Sequence, residues 1–275
     1  MADTVSLTLD GAIATVTLEH AGKFNAMSRG MWLQLRAVFV DLQLRPGVRC
    51  VLVCGKDGHF CAGGDIAQYP DFRFDAAALR HFHEVEVWGA LQAMLDCDVP
   101  IVAQIEGNCM GAGVEIASCC DLRLASASAR FGAPIARLGF PMAPREAALV
   151  AQAVGSTTAR AMLLAAEVLD ADHMHRCGFL TRTLADKDVA DAAWAMSQRV
   201  AALAPQAARL NKQTLRTLVV PNSAFAPAGQ AQTAIKDIAR TVPPALAGGD
   251  PYAYADSAEH REGIAAFLAK RSPVF

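Results

Sequence analysis

The sequence predicts an α/β fold that ends in a helical region, and three observations predict it. Period-two apolar runs open the chain on both sides of an Asp-Gly dipeptide. From Ser28 to about residue 155, stretches with helical spacing alternate with short apolar runs of strand type. Beyond Gly155 the composition turns alanine-rich and helical, with breaks at Gly178, Pro205, Pro221, Pro243-Pro244 and Gly248-Gly249.

Val5, Leu7 and Leu9, then Ala14, Val16 and Leu18, flank Asp10-Gly11, a dipeptide that favours a hairpin. Met31, Leu35, Val38 and Leu42 then fall on one helical face that Pro46-Gly47 closes. The strand VRCVLVCG feeds the loop KDGHFCAGGDIAQY. A second cycle follows: a helix through His81 to Leu95, the strand IVAQIEG, the loop NCMGAG, the helix VEIASCC and the strand DLRLAS. Residues 221–231, PNSAFAPAGQA, read as a loop. The last helix is expected to start at Asp256 with Glu259 in a capping box, and it presents Ile264, Phe267 and Leu268 on one stripe that needs a cover.

Composition narrows the functional classes. The 275 residues are 53% hydrophobic, enough for a large core. Twenty-five Lys plus Arg against 27 Asp plus Glu leave a net charge of −2, so no broad basic field points to nucleic acid or an anionic membrane. The eight cysteines sit in apolar segments, two of them adjacent, and read as buried thiols of a reducing compartment. The amino terminus lacks the pattern of a signal peptide, and charges or glycines interrupt every apolar stretch before a membrane span is complete. A cytoplasmic protein is expected.

Two glycine-bearing loops carry the chemistry. Phe60-Cys61-Ala62-Gly63-Gly64-Asp65-Ile66 and Gly107-Asn108-Cys109-Met110-Gly111-Ala112-Gly113 each follow a buried-type strand and open into a helix. Small residues there let a ligand reach the backbone, and free amides favour negative charge. The plainer alternative is a pair of tight turns. Glu115 stands one helical turn beyond Ala112 and therefore on the side of that amide. Its apolar neighbours set two readings against each other: a carboxylate facing the anion site, or an exposed acid in a first helical turn.

The two loops, the upstream segment His20-Ala21-Gly22-Lys23-Phe24-Asn25-Ala26-Met27 and the ending His260 to Arg271, in that order, resemble the crotonase superfamily, the enoyl-CoA hydratase/isomerase family. The resemblance implies a crotonase-like spiral of ββα repeats over residues 1–200, carrying an acyl-CoA site. It further implies a C-terminal helical trimerisation region over 201–275, building a homotrimer or a dimer of trimers. Gly64 and Ala112 match the positions whose amides form the oxyanion hole, and Glu115 matches one catalytic glutamate. Lys23 and Asn25 match a coenzyme A segment, Ala62, Asp65 and Ile66 flank the thioester path, and Phe267 and Lys270 match positions that reach coenzyme A on a neighbouring subunit. Coenzyme A enters as part of the substrate, and no separate cofactor is expected.

The second glutamate of the hydratases is missing from its position. Ile135, just after Pro134, stands there instead, which sets strict two-glutamate hydration in doubt and makes Glu146 the first suspect for the second role. One proton carrier and an enolate hole also suffice for double-bond migration or for decarboxylation, in which Arg137 or Arg145 would hold a second carboxylate. A scaffold that binds acyl-CoA without turnover is the alternative outside catalysis. His81-x-His83 and His173-x-His175 lack the spacing and ligand count of a metal site. The glycines of the second loop imitate a dinucleotide turn, but Tyr69 is followed four residues on by Arg73, so the Tyr-x-x-x-Lys of short-chain dehydrogenases is absent there.

Overall fold

The computed structural model describes residues 3–217 and 257–275, which fall into two compact units, Met1–Ala201 and Ala202–Phe275. In the first unit, β1 (Thr4–Asp10) and β2 (Ile13–Glu19) form the expected hairpin with Val5 opposite Leu18 and Leu7 opposite Val16. The turn lies one residue later than the dipeptide suggests. Asp10 pairs with Ile13 and closes the ladder, leaving Gly11 and Ala12 as the connection.

Ser28 caps α1 (Arg29–Gln43) by accepting from the Met31 amide, and Met31, Trp32, Leu35, Phe39 and Leu42 bury one face. Next come β3 (Cys50–Gly55), α2 (Ala76–His81) and α3 (Trp88–Asp96), then β4 (Ile101–Ile105), β5 (Asn108–Met110), α4 (Ala112–Ser118), β6 (Leu122–Ser126) and β7 (Arg130–Gly132). Two readings of this stretch need correction. Asn108–Met110 is a strand paired with β7, not part of a loop. The helix expected through His81 to Leu95 is not one continuous α-helix: it begins at Ala76 and passes through a wide π turn, Phe82–Val87, before α3. Strand and helix also continue past residue 155. After α5 (Pro144–Val154) and α6 (Ser156–Leu164) come β8 (Val168–Asp170), α7 (Ala171–Arg176), β9 (Arg182–Leu184) and α8 (Val189–Ala201). Three-residue strands carry too little alternation to be seen in a sequence.

The chain winds as a spiral. The large sheet has the order β1-β2-β3-β4-β6-β9, parallel from β2 onward. A second stack holds β5-β7-β8, and the bridges Met27 to Gly64 and Cys61 to Cys109 extend it. Four successive turns therefore repeat one plan. A strand joins the large sheet (β2, β3, β4, β6), a short extended piece joins the second stack (Met27, Cys61–Gly64, β5, β7), and the chain then enters its helices. Gly64 and Ala112 occupy equivalent places in the second and third turns, where the short piece gives way to helix.

The central strands are buried on both faces, as parallel strands between layers must be. Val16, Leu18, Val51, Val53, Ile101 and Ala103 face the main core with Trp32, Phe39 and Phe131, while Ile13, Cys50, Leu52, Val102 and Leu124 lie under Val189 and Ala193 of α8.

In the second unit, α9 (Pro205–Thr217) and the helix Ala258–Leu268 are joined by the Gln206 amide donating to Glu259 Oε2 at 2.8 Å. The cap of the last helix is Ser257, whose Oγ accepts from the His260 amide. The expected cap Asp256, the loop reading at 221–231 and the Phe267 side chain lie outside the described residues. Ile264 and Leu268 are exposed.

Phe39 is fully buried whereas Phe74 is 90% exposed. Phe39→Ala is expected to cost about 3–5 kcal/mol in chemical denaturation and Phe74→Ala less than about 0.5 kcal/mol.

Candidate active site

The first loop is held in shape by the upstream segment, residues 20–27. Phe24 and Asn25 take positive φ values of 48° and 60°. The Asn25 side chain fixes that conformation by donating to the carbonyls of Lys56 and His59 at 2.8 and 2.7 Å and accepting from the His20 amide at 3.1 Å. Lys23 Nζ donates to both oxygens of the buried Asp65, at 2.9 and 2.7 Å, and Asp65 also accepts from the Ala67 amide. The Ala62 amide donates to the Phe24 carbonyl.

This loop is laced to β5. The amides of Phe60 and Cys61 donate to the carbonyls of Glu106 and Asn108, and the Met110 amide donates back to the Cys61 carbonyl, each at 2.8 Å. Two glycines permit the approach. Gly111 has φ 45°, a region costly for side chains, and a Cβ on Gly113 would stand 2.6 Å from the Cys61 carbonyl oxygen. Gly64 and Ala112 thereby line one cavity of about 250 Å³. Among the described residues neither of their amides donates to a protein carbonyl. The first amide of a helix has no partner within the helix, and Ala112 begins α4.

Apolar side chains make up most of the wall, among them Trp32, Phe82, Val87, Ile135, Phe140 and Met142. One region is polar: Glu115, Glu146, His83, Arg73 and Tyr69. Glu115 is 6% exposed, and its carboxyl has no hydrogen-bond partner among the described residues. Burial, reinforced by the nearby charge of Glu146, pushes its pKa well above 4.5. Glu146, 3% exposed, pairs with His83 Nδ1 at 2.8 Å. Burial likewise raises the Tyr69 hydroxyl to about 12. Burial lowers the pKa of Arg73, whose guanidinium lies 3.7 Å from the centre of the Phe140 ring and 4.7 Å from that of Tyr69.

Of the residues singled out from the sequence, Gly64, Ala112, Glu115, Ala62 and Ile66 line the cavity together, and Ile135 forms an aliphatic part of its wall. Lys23, Asn25 and Asp65 do not line it; they hold the loop that does. Phe267 and Lys270 belong to the second unit, where Lys270 is exposed. Arg137 donates to the Ala166 carbonyl and Arg145 pairs with Glu84 at 3.3 Å, and neither lines the cavity. Among the described residues no group of His, Cys, Asp and Glu could hold a metal. The sequence reading did not place Tyr69, Arg73 and His83 in the site. His83 stands among other polar residues, Arg80, His81, Glu84 and Glu86, so nothing singled it out, and the π turn that aims it leaves no mark in residue spacing.

Strand, short strand and helix, repeated so that two free amides share a cavity with a buried carboxyl, define a protein of the crotonase superfamily. The family model described as enoyl-CoA hydratase/isomerase matches residues 8–240, and the chain belongs to that family. It is 31% identical over 221 residues to a Mycobacterium tuberculosis protein named "Probable enoyl-CoA hydratase", covering 80% of this chain and 84% of the relative. It is 25% identical over 218 residues to the short-chain-enoyl-CoA hydratase of Clostridium acetobutylicum, covering 77% and 80%. The crystal structure of an enoyl-CoA hydratase/carnithine racemase from Magnetospirillum magneticum superposes with a TM-score of 0.85 at 31% identity, over 100% of this chain and 96% of that one.

The raised pKa of Glu115 has a consequence for stability. Between 4.5, the ordinary carboxyl value, and its raised folded value, the folded state binds more protons than the unfolded chain. The stability this confers is therefore present at acid pH and is lost as pH rises through that window. Glu115→Gln cannot undergo the loss. Its melting temperature relative to the wild type is expected to climb as pH is raised above 4.5. A difference independent of pH would show that Glu115 titrates normally.

Proposed function

We propose that the protein acts on acyl-CoA thioesters, with the thioester oxygen bound between the Gly64 and Ala112 amides and Glu115 carrying a proton to or from the α-carbon. The observation that supports this reading best is the cavity itself, where two unpaired backbone donors and one unpaired buried carboxyl meet. Loss of an α-proton, or addition to an α,β double bond, moves negative charge onto the thioester oxygen. Donors already aimed at that oxygen stabilise it without reorganisation, and one such donor is worth about 3 kcal/mol in related chemistry. Glu115 lies one turn beyond Ala112, beside the carbon that exchanges the proton. Its raised pKa keeps a proton available at a pH where an exposed glutamate has lost it.

The apolar wall suits an acyl chain, and the exposed Ile66 stands at the cavity where the thioester enters. Lys23, Asn25 and Asp65 serve the substrate by shaping the first loop. Exposed Ile264 and Leu268 support a homotrimer or a dimer of trimers, in which Phe267 and Lys270 reach coenzyme A on a neighbouring subunit. No helix among the described residues is long and apolar enough to cross a membrane.

Titration calorimetry tests the core of this reading. Acetoacetyl-CoA, whose enolate places negative charge on the thioester oxygen, is expected to bind more tightly than free coenzyme A. Equal affinity would mean that the two amides form no oxyanion hole. Light scattering tests the assembly, where a monomer at micromolar concentration would overturn the trimer.

A further inference from the structure

Opposite Glu115, three elements converge on one carboxylate. Glu146 lies in the first turn of α5, His83 in the π turn between α2 and α3, and Arg73 in the segment before α2. His83 Nδ1 is 2.8 Å from Glu146 Oε1, and His83 Nε2 is 3.4 Å from Arg73 Nη1. A guanidinium can only donate, so Nε2 is the accepting nitrogen. The imidazole proton then resides on Nδ1 and is donated to Glu146. The guanidinium packs against the rings of both Phe140 and Tyr69, which themselves meet edge to face. The other oxygen of Glu146 has no protein hydrogen bond among the described residues, although the side chain is almost fully buried and lines the cavity. No buried side-chain oxygen among the described residues is left unsatisfied, so this second oxygen is open to the cavity, where a water can reach it.

We propose that Glu146 is the second proton-handling group of the site, the base that activates water, and that His83 is its positioning residue with Arg73 fixing the imidazole tautomer. This rests on the thioester reading above and names its substrates as 2-enoyl thioesters. Glu146 removes a proton from water as the water oxygen bonds to the β-carbon. The π pair of the double bond shifts so that charge reaches the thioester oxygen between Gly64 and Ala112. The enolate then closes as Glu115 gives its proton to the α-carbon. One proton is taken and one is given, nothing is oxidised or reduced, and transfer of the proton from Glu146 to Glu115 restores the starting state. Burial and the neighbouring Glu146 charge raise the Glu115 pKa, so of the two carboxyls Glu115 is the one placed to give a proton to the α-carbon. The aliphatic Ile135 leaves the water position to Glu146.

Three readouts on the full-length protein test this: hydration of crotonyl-CoA, exchange of the α-protons of butyryl-CoA in deuterated water followed by NMR, and acetoacetyl-CoA binding. Glu146→Gln is expected to slow hydration by about 100-fold or more while slowing α-exchange far less and keeping the analogue bound. Glu115→Gln is expected to lose both reactions. His83→Ala should lower kcat for hydration rather than raise KM, and His83→Asn, which retains an N–H donor near Nδ1, should recover part of it. This histidine pair carries the test should Glu146→Gln fail to fold. Hydration by Glu146→Gln at the wild-type rate overturns the proposal, as does a wild type that exchanges α-protons but hydrates nothing. Failure of the wild type to bind acetoacetyl-CoA or exchange α-protons strikes instead at the thioester reading.

Discussion

The structure depends on the lacing of one loop to one short strand. Hydrogen bonds from Phe60 and Cys61 to the backbone around β5, and from Met110 back to Cys61, bring the second and third turns of the spiral into contact. Because the turns repeat, the equivalent residues Gly64 and Ala112 come to the same cavity, each with its amide free. The approach leaves no room for a side chain at position 113, where a Cβ would press on the Cys61 carbonyl. The amides are thus placed by main-chain geometry, and the side chains at both positions can be minimal.

Around this backbone frame the polar side chains divide into those that hold the first loop and those that face the cavity. Asn25 stabilises a strained stretch of positive φ, and the Lys23 pair with Asp65 ties the upstream segment to the end of the first loop. A half-exposed pair of this kind adds little stability in itself, so its effect is on the conformation of the loop. The second group lies deeper. Glu115 is a largely buried residue whose unpaired carboxyl opens onto the cavity. Glu146, one hydrogen bond short of satisfaction, lies in the same cavity.

Much of this was legible in the sequence, for physical reasons that differ by element. The hairpin, α1 and the buried central strands follow from periodicities of two and 3.6, which burial enforces directly. Glu115 could be placed beside Ala112 because a helix fixes where its fourth residue points. Its burial, however, was one of two readings, since local sequence does not reveal what covers a helix. The strands β5, β8 and β9 escaped notice because three residues cannot show a period. His83 and Arg73 were hidden for another reason: His83 reaches Glu146 across 63 positions of chain from a π turn that no spacing rule encodes, and Arg73 meets the site through His83.

The central claim is that the Gly64 and Ala112 amides polarise a thioester carbonyl, and vibrational spectroscopy reads that polarisation directly. Difference infrared spectra of an acyl-CoA labelled with ¹³C at the thioester carbonyl isolate its stretching band in the bound state. Two donors converging on the oxygen weaken the C=O bond, so the bound band is expected at lower wavenumber than that of the thioester free in water. A band at the free position, with the site saturated, would contradict the account.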